Sequence, residues 1–166
     1  MHHVRIHALL ATAALCCVGA PALAGTASGS LNATATINAS CTVTTSPVAF
    51  GTVDPLSGSN ADNSGGISVT CTNGTAWTAA GGVGSGTGAT FASRVMTSGA
   101  NTLAYTIYTN SGRTTLWGDG TGVTATIGGT GTGSSQSVTI YGRVPSGQTT
   151  APPGSYADTV TVTVTY

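Results

Sequence analysis

From Leu31 to Val43 the chain alternates without a break. Leu31, Ala33, Ala35, Ile37, Ala39, Cys41 and Val43 are apolar or cysteine, and the positions between them are Asn, Thr or Ser. A period of two predicts a half-buried β-strand. Shorter runs of the same kind recur. Ile67, Val69 and Cys71 share one face of "GISVTCT". Leu103, Tyr105 and Ile107 share one face of "TLAYTIYT", with Tyr108 opposite. Val123, Ala125 and Ile127 do so in "GVTATI", and Val138 and Ile140 in "SVTIYGRV", where Gly142 follows on the same parity. The chain ends in "YADTVTVTVTY", which sets Tyr156, Asp158, Val160, Val162, Val164 and Tyr166 against a face of Thr. Clusters of turn residues separate these runs: Asp54-Pro55, Asn63 to Gly66, Asn73-Gly74, Gly81 to Gly88, Gly118 to Gly120, Gly128 to Gly133 and Pro152 to Gly154. Nothing predicts a helix of useful length. Many short strands with turns between them predict an all-β domain, a sandwich or barrel.

The first run is too long for such a domain. A strand from Leu31 to Thr45 would extend about 50 Å at ~3.3 Å per residue. A domain of this size is only about 37 Å across, and strands rarely exceed ~10 residues. Part of the run must bend or leave the domain.

Composition narrows the setting. His2, His3, Arg5 and His7 begin the chain, an apolar run from Ala8 to Ala20 follows, and Ala22-Leu23-Ala24 fits a small-x-small cleavage site. This predicts a secretory signal over 1–24, too short to span a bilayer. Cys16-Cys17 raises the alternative of a lipoprotein, but Leu15 and Cys16 precede these thiols where a small residue is wanted. The remaining 25–166 form one domain-sized chain without Lys, Glu or His. Its ionic groups are Arg94, Arg113, Arg143, Asp54, Asp62, Asp119 and Asp158. No basic stripe is present for nucleic acid, and no basic amphipathic helix for a membrane surface.

Cys41 and Cys71 are the two cysteines beyond the signal. An even pair in an exported chain predicts a disulfide, worth about 3–4 kcal/mol for a loop of this length. A free or metal-bound pair is the alternative, though no His or third thiol is present to complete a site. Such a bond ties the half of the long run that holds Cys41 to Cys71, so the half that leaves is the N-terminal one, Ser30 to Asn38.

The inventory for catalysis is thin: four Asp, three Arg, tyrosines and hydroxyls. A glycosidase would need two of the aspartates to converge, and each also fits a turn, cap or strand end. No calcium-loop spacing occurs, no metal site is expected, and no cofactor is expected. "GSGTGA" from Gly84 to Ala89 matches a dinucleotide fingerprint in letters only, without its strand–turn–helix setting. Trp77 and Trp117 suit either a sugar-stacking face or core packing. Asn32, Asn38 and Asn73 head glycosylation sequons, which a Thr-rich chain contains by chance.

The C-terminal run poses the complementary problem to the N-terminal one. "TVTVTVTY" is β-branched, uncharged and free of Pro, a hazard at an exposed sheet edge. A spare strand and an edge to be covered in one chain suggest that one copy's strand covers the next copy's edge. Such head-to-tail pairing does not close, so it builds a filament.

These features, taken in order, resemble the spore coat protein U domain family, which includes the Csu-type major pilins of archaic chaperone–usher pili. The resemblance spans nearly all of residues 25–166. It rests on the alternating arm ending at Cys41, Phe50-Gly51, "ISVTCTNG", Arg94-Val95-Met96, "LAYTIYTN" followed by "LWGDG", "SVTIYGRVPSGQ" and "PGSYADTVTVTVTY". It implies an incomplete immunoglobulin-like β-sandwich over 40–166, completed by a donor strand from a neighbouring subunit. The arm, 25–39, would present Leu31, Ala33, Ala35 and Ile37, and Val160, Val162, Val164 and Tyr166 would form the groove edge. A periplasmic chaperone would lend a strand first, and an outer-membrane usher would exchange it for the next subunit's arm. The implied product is a surface pilus for attachment and biofilm formation, with tip or minor subunits as further partners. Two of the four arm residues are Ala, smaller than the family's usual choice, which implies weaker binding or a groove with larger lining residues. The alternatives are a minor pilus subunit and a secreted monomeric module, perhaps carbohydrate-directed through its tryptophans.

Overall fold

The structure, a computed structural model, describes residue 19 and residues 21–166. Most of the expected signal segment, including Cys16-Cys17, lies outside the described residues. The chain divides into two units, one up to Ala35 and one from Thr36 to Tyr166. The described part of the first is exposed throughout and contains no helix or strand.

The second unit is all-β, with ten strands: β1 (Cys41–Ser46), β2 (Ala61–Cys71), β3 (Ala76–Gly81), β4 (Arg94–Ser98), β5 (Asn101–Tyr108), β6 (Leu116–Trp117), β7 (Thr124–Ala125), β8 (Ile127–Thr130), β9 (Gln136–Val144) and β10 (Val162–Thr165). One sheet runs β1-β2-β9-β5-β6-β7, with β4 also paired to β5. The other runs β10-β3-β8. All pairings are antiparallel except β6 with β7. The sheets do not close on each other, so β1 and β10 each end a sheet with one edge unpaired.

The inward parities of β2, β5 and β9 become the core. Ile67, Val69, Cys71, Leu103, Tyr105, Ile107, Ile140 and Val144 are buried, joined by Trp77, Ala79 and Trp117. Gly142 is buried too, because Val48 and Phe50 pack where its Cβ would stand.

Several expectations are corrected. The alternating run does not form a strand before Cys41; regular structure starts there and runs to Ser46. Asn63 to Gly66 is not a turn but the first half of β2, paired with Ile140 to Gly142 and neighbours on β9. Gly65 has a steric rather than a turn role: a Cβ there would lie 2.7 Å from the backbone of Ser46 and Pro47 as they cross the strand. Within Gly128 to Gly133, the first residues belong to β8 rather than a turn. "GVTATI" is not one strand, because the chain leaves the first sheet after Ala125 and joins the second at Ile127. Val123 therefore escapes the core and is 82% exposed.

Candidate functional site

The open side of the sandwich lies between the two unpaired edges. An apolar hollow of about 420 Å³ is lined from the β1 side by Thr45, Ser46, Pro47 and Val48, and from the β10 side by Thr159, Val160 and Val162. The floor of this trough is formed by the core residues Ile67, Tyr105, Ile107, Trp117 and Ile140, with Phe50, Met96 and Tyr156. Four of these eight floor residues are aromatic: Tyr105, Trp117, Phe50 and Tyr156. A second hollow of about 700 Å³ shares Val48, Phe50, Met96 and Tyr156 and is lined further by Val53, Leu103 and Ala151.

The structure places the sequence-predicted residues as follows. Val160 and Val162 line the hollow, Val164 is half-buried beside them, and Tyr166 lies beyond β10 and is 57% exposed. Leu31 and Ile37 are 95% and 84% exposed, and Ala33 and Ala35 are also exposed. Val43, on the inward parity of β1, still has 36% of its surface exposed. A side chain aimed inward yet wetted marks a face lacking a covering strand.

Cys41 and Cys71 form a disulfide between directly paired residues of β1 and β2. It fixes the point where the N-terminal segment leaves the sandwich.

Two polar assemblies brace the trough, and neither was visible in the pattern. Arg94 is fully buried. Its guanidinium donates to the carbonyls of Gly82 at 3.0 Å, Phe91 at 3.2 Å and Trp117 at 2.7 Å, and sits 5.6 Å from the Phe91 ring centre. Gly82 follows β3 and Trp117 belongs to β6, so this cation ties the two sheets together. Burial lowers its pKa from the ordinary value, opposed by Tyr105 and Asp158 nearby.

Asp158 anchors the approach to β10. It accepts from the Ser85 amide at 2.7 Å and hydroxyl at 2.6 Å, the Tyr105 hydroxyl at 2.7 Å and the Thr159 amide at 2.8 Å. Partial burial raises its pKa, but the Ser85, Tyr105 and Thr159 donors outweigh that and the net shift is downward. Burial, then the hydrogen bond to Asp158, pushes the Tyr105 phenol upward.

The other aspartates are accounted for locally. Asp54 accepts from the Leu56 amide, and Asp119 from the Thr121 amide and hydroxyl, both as turn residues. Asp62 lies within β2 and pairs with Arg143 at 2.8 Å and Arg113 at 3.4 Å; the Arg143 hydrogen bond holds its carboxyl below the usual range. Among the described residues no cluster of metal-ligating side chains occurs. Trp77 and Trp117 are 4% and 2% exposed, with their indoles donating to Gln136 and the Ala79 carbonyl. Neither offers a surface for stacking a sugar.

A model of the Spore Coat Protein U domain matches residues 27–163. The structure is similar to a chain of the CsuC–CsuE chaperone–tip adhesion subunit pre-assembly complex from the archaic chaperone–usher Csu pili of Acinetobacter baumannii, with 25% identity and a TM-score of 0.56. The likeness covers 79% of this chain and 40% of that one, so this chain spans less than half of its structural relative. No curated protein matches. The open, all-β sandwich and the matched segment agree: the chain belongs to the Spore Coat Protein U domain family.

Proposed function

We propose that this chain is a subunit of an archaic chaperone–usher pilus and polymerises by donor-strand exchange. A signal over 1–24 directs export to the periplasm. The arm 25–39 of one copy then fills the trough of the next, laying Leu31, Ala33, Ala35 and Ile37 over the core between β1 and β10. Before assembly a periplasmic chaperone supplies the missing strand, and an outer-membrane usher exchanges it for the arm. The filament serves attachment at the cell surface and biofilm growth, with tip or minor subunits as further partners.

One observation carries this reading. Two unpaired strand edges flank an apolar trough, while the same chain holds an alternating segment whose apolar side chains are exposed. Burying Leu31 and Ile37 stabilises the union by about 1.5–3 kcal/mol each, and each ladder hydrogen bond adds about 0.5–1.5 kcal/mol net. The matched relative comes from a chaperone–pilus subunit complex, which supports the same partners here. A monomeric sugar-binding module has less support, since both tryptophans are buried.

The test is deletion of Thr26 to Asn38 in cells carrying the rest of the assembly genes. The shortened subunit is expected to fold with its chaperone and accept a strand, but to donate none. Electron microscopy should find no filaments when it is the only copy. Normal filaments would overturn the proposal.

A further inference from the structure

The arm runs directly into β1, the strand whose far end, from Thr45, lines one side of the trough. Only Asn38, Ala39 and Ser40 separate Ile37 from β1, whose open edge faces away from β2. Three-residue hairpin loops are common. A reversal at 38–40 would lay a subunit's arm along its own β1, fill its own trough and remove it from assembly. Something must hold these three residues straight.

The β1–β2 ladder continues one step past the disulfide, and it does so irregularly. The Thr72 amide donates to the Ser40 carbonyl at 2.9 Å. In a regular ladder the Ser40 amide would donate back to the Thr72 carbonyl. That carbonyl is already engaged: it accepts from the Thr75 amide at 3.0 Å to close the β2–β3 turn. The backbone at Gly131 also runs close to this carbonyl, with a Cβ there falling 2.5 Å from it, so only glycine fits. The Thr72 hydroxyl takes its place and accepts from the Ser40 amide at 3.2 Å. The carbonyls of Ser40 and Asn38 lie 3.3 and 3.5 Å away as alternative acceptors for the hydroxyl's own proton.

We infer that Thr72 is a positioning residue that clamps the root of the arm through Ser40 and Asn38, directing the arm outward and disfavouring insertion into its own groove. This rests on the donor-strand reading above. With both backbone groups of Ser40 held on the β2 side, a reversal must break them. The disulfide alone cannot impose this, because Cys41 lies inside β1 and leaves the preceding bonds free to rotate.

The test uses the full-length mature subunit, refolded with its disulfide intact, as wild type, Thr72→Val and Thr72→Ser. Valine keeps the shape and loses the hydroxyl; serine keeps the hydroxyl. Each is scored by size exclusion for polymer and for monomer that no longer accepts a labelled peptide of residues 29–38. Thr72→Val should raise the peptide-refractory monomer about fivefold relative to polymer, the equilibrium weight of one hydrogen bond. Thr72→Ser should match wild type. Wild-type ratios in Thr72→Val would overturn the clamp, as would a serine variant that behaves like valine. Arm-deleted subunits separate the causes. If arm-deleted Thr72→Val also loses the peptide, Thr72 shapes the groove and the clamp is overturned. If the arm-deleted wild type ignores the peptide, the donor-strand reading itself fails, and the clamp with it.

Discussion

Two segments carry nearly the same alternation, and the structure treats them oppositely. Leu31 to Ile37 alternates small or branched apolar residues with Asn and Thr, and it is exposed without regular structure. Val160 to Val164 alternates Val with Thr; it is half-buried and ends as β10 against β3. The difference lies in what each can pair with. β3 offers β10 a backbone partner from Thr78 to Gly81, and Asp158 pins the approach to it. The arm leaves at the disulfide, where β2 ends in the turn at Asn73-Gly74 and its backbone partners run out after Thr72. Alternation specifies a strand's two faces; a partner edge decides whether the strand forms. On the proposed reading, a protein with one edge too many and one strand too many would meet both needs in a second copy.

This contrast can be attacked from both sides with one kind of substitution. Val162→Asp places a charge against the apolar trough with no partner, which is strongly unfavourable, so folded subunit should be lost from the periplasm. Ile37→Asp should leave the subunit's own thermal stability unchanged, since that side chain is already 84% exposed, while abolishing its ability to donate. If the two variants destabilise the isolated subunit equally, the arm is not the unpartnered segment described here.

The disulfide should have the next largest effect. Cys41→Ser with Cys71→Ser is expected to destabilise the subunit by about 3–4 kcal/mol, read from denaturant midpoints with and without reductant. Ile37→Ala in a donor peptide should weaken its union with the groove by about 2 kcal/mol, the burial of one branched side chain. Ala33→Gly should be nearly silent by the same titration.

The smallest effect expected is on pH dependence. Asp158 has a folded-state pKa below its unfolded one. Its contribution is therefore present above about pH 4, the unfolded value, and is lost as pH falls through the lowered folded value. The melting temperature should drop over that acid range, and Asp158→Asn should flatten part of the drop. Asp62, lowered by its Arg143 partner, and Asp119, lowered by its Thr121 hydrogen bonds, should retain the remainder.

Much of the fold is legible in the chain because burial imposes a period. Ile67, Val69, Tyr105, Ile107 and Ile140 could be assigned to the core by parity alone, and the Cys41–Cys71 pair by compartment and count. β3 escapes because Ala76 to Gly81 is built from small residues around one tryptophan, giving almost no amplitude to the alternation. β4 escapes because its buried residue is an arginine. Arg94 can be buried only because carbonyls from three separated segments meet it, and no local pattern records such a convergence. Gly65 and Gly66 read as a turn because glycine marks turns and tight crossings alike, and only the path of Ser46 and Pro47 across the strand distinguishes them.

The most direct test of the account is a titration. A synthetic peptide of residues 29–38 is added to subunit lacking Thr26 to Asn38, and the melting temperature is followed. The account predicts a saturable rise, abolished by Ile37→Asp in the peptide and by prior occupation of the groove. A stable truncated monomer whose melting temperature ignores the peptide at every concentration would contradict it.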